Sequence, residues 1–284
     1  RFCLSRRCLV RGLAGMLVLG LAGLAFESVQ ALRDDPWAGA LPSAVPAAIP
    51  LAILGDSDSH AYQDRLAFGA RPALRGGEFR ATTFNWPEML VRLAPTAFDP
   101  GPWGEWGNRH ARYAWLRRLF GWPYRLPRKE DYRANFAVSG ATCADLEHGL
   151  GAQLPALLRL LDAEPGRWRR GVVVVRIGIN DIGTVEAMQH LARDPDAAPA
   201  RAPVDACIAA ITRVVATLAA RGDAPRVVLV GIDDNADWPK YFAHWQDPVA
   251  LANIDRGLDR YDAALRALAA ADPARRLFFD ERAH

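Results

Sequence analysis

The sequence predicts an α/β domain built on a parallel sheet. Short apolar runs alternate along the chain with stretches of helical periodicity, which is typical of strand–helix–strand units. The run from Val172 to Val175 is continuously apolar, as expected for a central strand that is covered on both faces. A content of 51% hydrophobic and 24% charged residues in a chain of 284 fits one large globular domain or two small ones.

The strands and helices of this domain follow from the same alternation. Strands are predicted at residues 51–54, 134–138, 172–177, 227–232 and 277–279, and helices at 86–93, 143–161, 204–221 and 248–271. Within the second helix, leucines recur at a spacing of three and four residues, at positions 154, 157, 158 and 161. This spacing indicates a helix face buried in the core and not a ligand-binding group.

Two stretches, residues 60–85 and 97–131, do not fit the alternation and are predicted to be insertions. Both are long for loops in a compact domain, and long loops often cover a site. The second stretch carries six large aromatic residues: Trp103, Trp106, Tyr113, Trp115, Trp122 and Tyr124. These aromatic residues form either a surface that stacks on sugars or a small satellite core in which they pack on each other.

The N-terminus has the three-part layout of an export signal. Arg6 and Arg7 precede an apolar run at residues 12–26, and small residues at Val29 and Ala31 precede a predicted cleavage site. The arginine pair is compatible with the Sec or the twin-arginine route. The apolar run is shorter than the roughly 20 residues of a membrane span, so the membrane is a partner only if the signal stays uncleaved.

The domain boundaries follow from this signal, and so does the expected location. Residues 1–31 are predicted to be the signal, residues 32–50 a Pro/Ala-rich linker, and residues 51–284 the functional domain. The protein is therefore expected to be exported, either to the periplasm or out of the cell.

Charge and cysteine content narrow the possible partners. The formal net charge of +3 arises entirely from the first 31 residues, and the rest of the chain is neutral. A nucleic-acid partner is therefore not expected, because binding to phosphates requires a net basic surface. After removal of the signal, Cys143 and Cys207 remain; they either form a disulfide or are buried free thiols.

Polar residues follow three successive predicted strands. Gly55-Asp56-Ser57 follows the first, Ser139-Gly140 follows the second, and the block from Gly178 to Asp181 follows the third. In an open parallel sheet, the carboxyl ends of the strands form the edge where ligands bind. A serine placed there can expose its hydroxyl while nearby N–H groups face a developing oxyanion.

These three blocks, in this order, resemble those of the SGNH hydrolases, the GDSL-type esterases and lipases. The resemblance extends from about residue 50 to residue 280, and the segment starting at Trp86-Pro87-Glu88 also resembles the first helix of that family. It implies a flavodoxin-like three-layer α/β/α sandwich with about five parallel strands. It also implies hydrolysis of carboxylic esters through an acyl-enzyme, with no metal or organic cofactor.

The resemblance implies a role for each matching residue. Ser57 would be the nucleophile, and the oxyanion hole would consist of the Ser57 and Gly140 N–H groups and the Asn180 side-chain amide. Asp56 and Asp181 are expected to shape their loops by hydrogen bonding, without acting as acid or base. The expected substrate is a small-molecule or glycan ester, and O-acetyl groups on carbohydrate are favoured by the aromatic insertion and by export.

The sequence departs from the family pattern at two places. Asp58 replaces the leucine of the GDSL motif, at a position that varies within the family. The Asp-x-x-His pair that supplies the general base has only one candidate, His284 with Glu281 three residues earlier. In the family this pair comes later and is followed by a helix, so we expect the true pair to lie beyond residue 284, which would make the domain incomplete at its C-terminus.

The remaining histidines are not expected to be the base. His60, His148 and His190 lack a partner carboxylate in the required pattern, whereas His110 and His244 lie among aromatic residues.

Two rival functions remain open. Asp56-x-Asp58 with Asp233-Asp234 resembles the Mg²⁺-binding carboxylates of haloacid-dehalogenase phosphatases. The other rival is a non-catalytic, exported carbohydrate-binding protein on a hydrolase fold, because a fold alone does not determine function.

Overall fold

A computed structural model describes residues 48–68, 77–149, 151–234, 236, 238 and 241–283. The predicted signal, most of the predicted linker and His284 lie outside the described residues. The last three residues of the predicted linker are described, and residues 49 and 50 already belong to the first strand.

A five-stranded parallel sheet forms the centre of the domain, as the sequence predicts. Its strands are β1 (Ile49–Gly55), β2 (Phe98–Asp99), β5 (Val172–Arg176), β6 (Arg226–Val230) and β7 (Arg276–Phe279), in the order β2-β1-β5-β6-β7. A separate antiparallel hairpin consists of β3 (Trp103–Trp106) and β4 (Lys129–Tyr132). The register pairs Gly55 with Arg176, so β1 and β5 end side by side at the carboxyl edge.

The prediction of a strand at residues 134–138 is wrong, although the segment lies along β1. It makes a single parallel bridge, between Asn135 and Ile53, and the Phe136 N–H donates to the Ile53 carbonyl. Backbone hydrogen bonds join both ends of the segment to β1, but the Asn135 carbonyl accepts from the Arg125 side chain and the Ala137 N–H donates to the Asn135 side chain, so no continuous ladder forms. The fifth strand is instead β2, which lies inside a predicted insertion.

Seven α-helices connect or flank the strands in the described part of the chain. They are α1 (Trp86–Leu93), α2 (Ala111–Leu119), α3 (Gln153–Ala163), α4 (Ile179–Ile182), α5 (Val185–Arg193), α6 (Ala198–Ala219) and α7 (Pro248–Ala270). Short 3₁₀ turns occur at Gly77–Thr82, Cys143–Leu146 and Trp168–Arg170.

The predicted helix at 143–161 is divided in two, which corrects the sequence interpretation. A 3₁₀ turn at Cys143–Leu146 comes first, and α3 begins only at Gln153. Gly149 lies between them with a φ of 82°, a left-handed conformation that ends helical geometry. The helices predicted at 86–93, 204–221 and 248–271 are present as α1, α6 and α7.

The two faces of the sheet are covered unequally. On one face α3, α5, α6 and α7 pack their apolar side chains against β1, β5 and β6, which forms the larger core. On the other face α1 packs Trp86 and Leu90 over β1 and β5. Farther along this second face, beyond β6, Leu277 and Phe279 on β7 remain 59% and 43% exposed.

Helix α6 is a core helix of this domain. By length and composition it is the one described helix that could cross a membrane. Its apolar residues Val204, Ile211, Val214 and Leu218 are nevertheless buried in the larger core. Cys207 on α6 forms a disulfide with Cys143, with Cα atoms 5.1 Å apart, so the paired state is the correct one of the two alternatives.

The aromatic residues of the 97–131 insertion divide into two groups. Trp106, Tyr113 and Tyr124 are buried, as expected for a satellite core. Trp103, Trp115 and Trp122 are exposed, as expected for a surface that meets a ligand. Neither interpretation therefore describes the whole set.

Candidate functional site

Ser57 lies on a tight turn immediately after β1. The Ser59 and His60 N–H groups donate to the Asp56 carbonyl at 3.2 and 2.9 Å, and the Asp58 N–H donates to the Asp56 carboxylate at 3.1 Å. Asp56 is buried below the turn, whereas Ser57 is exposed above it. Ser57 is therefore presented at the carboxyl edge of the sheet.

Gly55 is required by the close packing at the end of β1. A Cβ at this position would lie 2.4 Å from the carbonyl oxygen of Arg176, which is backbone and cannot move aside. The Gln153 side chain also pairs with this residue, accepting from the Gly55 N–H at 2.8 Å and donating to the Gly55 carbonyl at 2.7 Å. The start of the Ser57 turn is therefore fixed on both sides.

The second polar block lies against the Ser57 turn. The Val138 N–H donates to the Gly55 carbonyl at 3.1 Å, and the Ser139 N–H donates to His60 Nδ1 at 3.1 Å. Gly140 follows with a φ of 79°, and a Cβ there would meet no described atom within 4 Å. Glycine therefore suits this position because of its backbone conformation.

The third block is joined to the other two. The Asn180 side-chain amide donates to the Ala141 carbonyl at 2.9 Å. The Asp181 carboxylate accepts from the Cys143 N–H at 2.9 Å, and the Gly178 N–H bonds to the Asp56 carboxylate. Asp56 and Asp181 thus shape their loops, and all three blocks meet at one edge of the sheet.

Burial controls the charge of Asp56. It raises the pKa of the Asp56 carboxyl to about 7, an effect that the nearby Arg176 guanidinium opposes and the Asp233 carboxylate reinforces. Asp56 is therefore close to half protonated at neutral pH. Its role at the floor of the turn is consistent with either state, because it accepts hydrogen bonds from backbone N–H groups.

Arg176, at the end of β5, gathers three carboxylates beside Ser57. Its guanidinium lies 3.0 Å from Asp58, 3.4 Å from Asp233 and 2.6 Å from Glu281. These acidic residues come from the loops after β1, β6 and β7, so one cation connects four strand ends. This arrangement does not favour a Mg²⁺-dependent phosphatase, because the guanidinium already pairs with two of the carboxylates such a site would use.

Glu281 is held away from a role as the partner of a catalytic histidine. Both of its carboxylate oxygens accept hydrogen bonds from Arg176 Nε, and one also accepts from Nη2. A carboxylate that orients a catalytic imidazole must instead direct an oxygen at its Nδ1–H. The geometry therefore weakens the pairing of Glu281 with His284, and His284 itself lies outside the described residues.

The sequence analysis missed the partner of His60. The buried His60 Nε2 lies 2.7 Å from the Asp64 carboxylate, and its Nδ1 accepts from the Ser139 N–H. The sequence signal that could have revealed this pair is the four-residue spacing between His60 and Asp64. Burial and then the charge of Lys129 lower the pKa of His60, so it is neutral at neutral pH. Within residues 48–283 the structure describes no hydrogen bond between a histidine and Ser57.

An open cavity of about 680 Å³ lies beside Ser57. Its wall is largely apolar and includes Tyr62, Phe84, Trp86, Val174, Val228, Val230 and Phe279. Asp58, Arg176 and Glu281 line its polar part. The cavity thus runs from the exposed serine along the less covered face of the sheet.

Comparison with protein families matches residues 96–281 to the model of the GDSL-like lipase/acylhydrolase family. The matched region contains Gly140 and Asn180 and begins after Ser57. A comparison with curated protein sequences gives no match.

Three solved structures resemble the chain at low sequence identity. An extracellular lipase from Streptomyces rimosus is 16% identical with a TM-score of 0.41, covering 82% of this chain and 80% of its own. A phospholipase A1 from Streptomyces albidoflavus is 16% identical with a TM-score of 0.38, and the match covers 82% of this chain and 79% of the phospholipase chain. A mutant acetyl-xylooligosaccharide esterase from Geobacillus is 15% identical with a TM-score of 0.33, and the match covers 84% of this chain and 78% of the esterase chain.

Proposed function

Since the chain belongs to the GDSL-like lipase/acylhydrolase family and is an ester-bond hydrolase, we propose that it acts through an acyl-enzyme on Ser57. One observation carries the proposal: the exposed Ser57 lies where three hydrogen-bonded blocks meet at the carboxyl edge of the sheet. Such an edge presents a nucleophile and N–H donors to the same ligand.

In the proposed reaction, Ser57 Oγ attacks the ester carbonyl carbon while its proton passes to a histidine base. The carbonyl oxygen becomes an oxyanion that accepts hydrogen bonds from the Ser57 and Gly140 N–H groups and the Asn180 amide. Collapse expels the alcohol, which takes the proton from the imidazolium. Water then attacks the acyl-enzyme by the same route, releasing the acid and restoring Ser57.

The contacts of Asn180 suit a preorganised donor. One N–H of its amide is used by the Ala141 carbonyl, which fixes the orientation of the amide plane. An asparagine amide has two N–H groups, so the second is the one proposed for the oxyanion. Donors that are already oriented stabilise the transition state without reorganisation.

The base is proposed to come from chain that follows residue 283. His60 is unsuited, because both ring nitrogens already have partners. Either His284 is the base, or the Asp-x-x-His pair lies beyond residue 284. The second alternative is favoured by the bonding of Glu281 to Arg176 and by the exposed apolar residues of β7, which a further segment would cover.

Labelling with a fluorophosphonate serine reagent, followed by mass spectrometry, tests the nucleophile and the source of the base. We expect an adduct on Ser57 in a chain extended past residue 284, and none in its Ser57→Ala variant. Residues 32–284 alone are expected to remain unlabelled. Labelling of that shorter chain, lost in His284→Ala, would assign the base to His284. An extended chain that is folded but unlabelled contradicts the acyl-enzyme proposal.

We further propose that the protein is exported and that its substrates are esters on carbohydrate. The N-terminal signal pattern supports export, and the exposed Trp103, Trp115 and Trp122 support contact with sugar rings. Hydrolysis of an acetylated oligosaccharide, measured as released acetate, should be faster than hydrolysis of p-nitrophenyl octanoate, measured as released p-nitrophenol, at equal concentration. The reverse preference would assign the apolar cavity beside Ser57 to a longer acyl chain.

A further inference from the structure

We propose that His60 is a positioning residue, whose imidazole holds the turn carrying Gly140 in register with the turn carrying Ser57. This inference rests on the proposed function, because it concerns the geometry of the oxyanion hole. His60 would touch neither substrate nor reacting atoms. It would act through Ser139, the residue that precedes Gly140.

The hydrogen bonds of His60 determine which ring nitrogen carries the proton. A backbone N–H can only donate, so the Nδ1 that receives the Ser139 N–H is the unprotonated nitrogen. The proton of the neutral ring therefore lies on Nε2, which donates to the Asp64 carboxylate at 2.7 Å. Asp64 is itself held by the N–H groups of Leu66 and Ala67. The imidazole is thus locked in one tautomer and one orientation.

The turn that carries Gly140 is anchored at both ends, and the fixed imidazole of His60 provides one of the two anchors. Ser139 is bound to His60 at the start of the turn, and Ala141 is bound to Asn180 at its end. The Ala141 N–H closes the turn on the Val138 carbonyl at 3.0 Å. Gly140, with its left-handed backbone, lies between the two anchored residues. The direction of its N–H group therefore depends on both anchors.

The backbone of His60 is also tied to the nucleophile. The Asn85 side-chain amide donates to the His60 carbonyl at 2.8 Å and to the Ser57 carbonyl at 3.1 Å. Asn85 is the N-cap of α1, so both carbonyls are fixed to the same helix end. His60 accordingly connects the Ser57 turn, through its backbone, with the Gly140 turn, through its ring.

The surroundings of His60 favour the neutral ring that this role needs. Beneath it lies the buried pair of Lys129 and Asp131, 2.7 Å apart, and Asp131 also accepts from the Ala61 N–H. The ring of Phe68 packs on the imidazole with centroids 4.5 Å apart. A protonated ring would turn an N–H toward the Ser139 N–H and lose the bond between the two turns.

Two substitutions separate the contacts of His60. In His60→Asn, the side-chain oxygen lies near the position of Nδ1 and keeps an acceptor for Ser139, while the reach to Asp64 is lost. In His60→Gln, the amide nitrogen lies near the position of Nε2 and keeps a donor for Asp64, while the acceptor for Ser139 is lost. Both remove the ring that packs on Phe68, so each is a control for the stability loss of the other.

The test compares kcat and KM for p-nitrophenyl acetate in the full natural chain. We expect kcat of His60→Asn within about threefold of the unmodified protein and kcat of His60→Gln lower by roughly tenfold to a hundredfold, with little change in KM. Equal kcat values in the two variants, at comparable melting temperatures, would overturn the inference.

Two further measurements separate this inference from the proposed function. Activity that survives in Ser57→Ala refutes the acyl-enzyme proposal. The positioning role of His60 is then tested independently of activity, by hydrogen exchange of the Ser139 amide. In that experiment the Ser139 amide should exchange faster in His60→Gln than in His60→Asn. Equal protection of this amide in the two variants refutes the positioning role, whatever the activity.

Discussion

The two sides of the Ser57 turn are stabilised in different ways. On the inner side His60, Asp64, Lys129, Asp131 and Asn135 are almost fully buried, and the described contacts give each of them a partner. On the outer side Arg176 and its three carboxylates are partly exposed along the edge of an open cavity. The inner side is therefore a fixed framework, and the outer side is open to solvent, as the proposed function requires of the side that receives substrate.

This difference has a physical consequence for substitutions. Removing one member of a buried ion pair leaves an uncompensated charge in a medium that solvates it poorly. Ion pairs near water contribute less, because solvent and salt replace the lost partner. Changes on the inner side should thus be seen first in stability, and changes at the open edge in activity or in salt dependence.

The largest effect is expected from Lys129→Met on the inner side. The Lys129 ammonium bonds to the Asp131 carboxylate at 2.7 Å and to the Ala137 carbonyl at 2.6 Å, with both side chains buried. Its loss should lower the free energy of unfolding by about 3–5 kcal/mol in urea titrations. Arg65→Met is the control, because it breaks an ion pair with Glu130 whose arginine is largely exposed. Equal losses in the two variants would contradict the comparison.

Asn180→Ala should next lower activity by about 10²–10³, or roughly 2.7–4 kcal/mol of barrier, with KM nearly unchanged. The reason is the loss of a proposed oxyanion donor at the open edge. Asn253→Ala is a matched control, because its side-chain amide also donates to a backbone carbonyl, that of Ala192, but between α5 and α7. The control should lose stability and keep kcat. An effect of Asn180→Ala on KM alone would contradict the oxyanion role.

Arg176→Met is expected to have a smaller effect, about 1–3 kcal/mol of stability, and one that depends on salt. Without the guanidinium, the carboxylates of Asp58, Asp233 and Glu281 repel one another, and this repulsion is screened as ionic strength rises. The variant should therefore gain more stability from added NaCl than the unmodified protein. A salt-independent loss would mean that packing, and not charge, is the contribution of Arg176.

The last expected effect, a slope of at most about 1.4 kcal/mol per pH unit for each group, is a change in how stability depends on pH. The pKa of His60 is lowered in the folded state, so below the ordinary value of 6.5 the unfolded chain binds the proton first and stability falls as pH falls. The pKa of Asp56 is raised to about 7, so between 3.8 and that value stability falls as pH rises. The free energy of unfolding should be measured across this pH range. In His60→Asn it should no longer fall as the pH drops below 6.5, and in Asp56→Asn it should no longer fall as the pH rises from 3.8 to about 7. Unchanged slopes would contradict these assignments.

The regular elements and the polar blocks were predictable because their signals are local. The apolar run of β5, the periodicity of α1 and α7, and each short polar block that contains Ser57, Gly140 or Asn180 can be read from neighbouring residues. The segment 134–138 lies along β1 but is not a regular strand, because side chains of Arg125 and Asn135 occupy backbone groups that a ladder would use, and the apolar pattern does not encode these contacts.

The candidate site was only partly predictable for the same reason. The Asp64 partner of His60 is four residues away in sequence. The Ser139 N–H, through which His60 contacts the Gly140 turn, is 79 residues away. The Arg176 cluster likewise depends on three loops that meet only when the strands align. Contacts between separate strand ends are set by tertiary structure, so composition and spacing do not reveal them.

The disulfide between Cys143 and Cys207 has a consequence for damage to the chain. Its 64-residue separation encloses β5 and the block from Gly178 to Asp181 in a covalent ring that closes just after Gly140. A single break in the backbone anywhere between the two cysteines would leave both pieces attached to each other. Neither piece would be released until a reductant opened the ring.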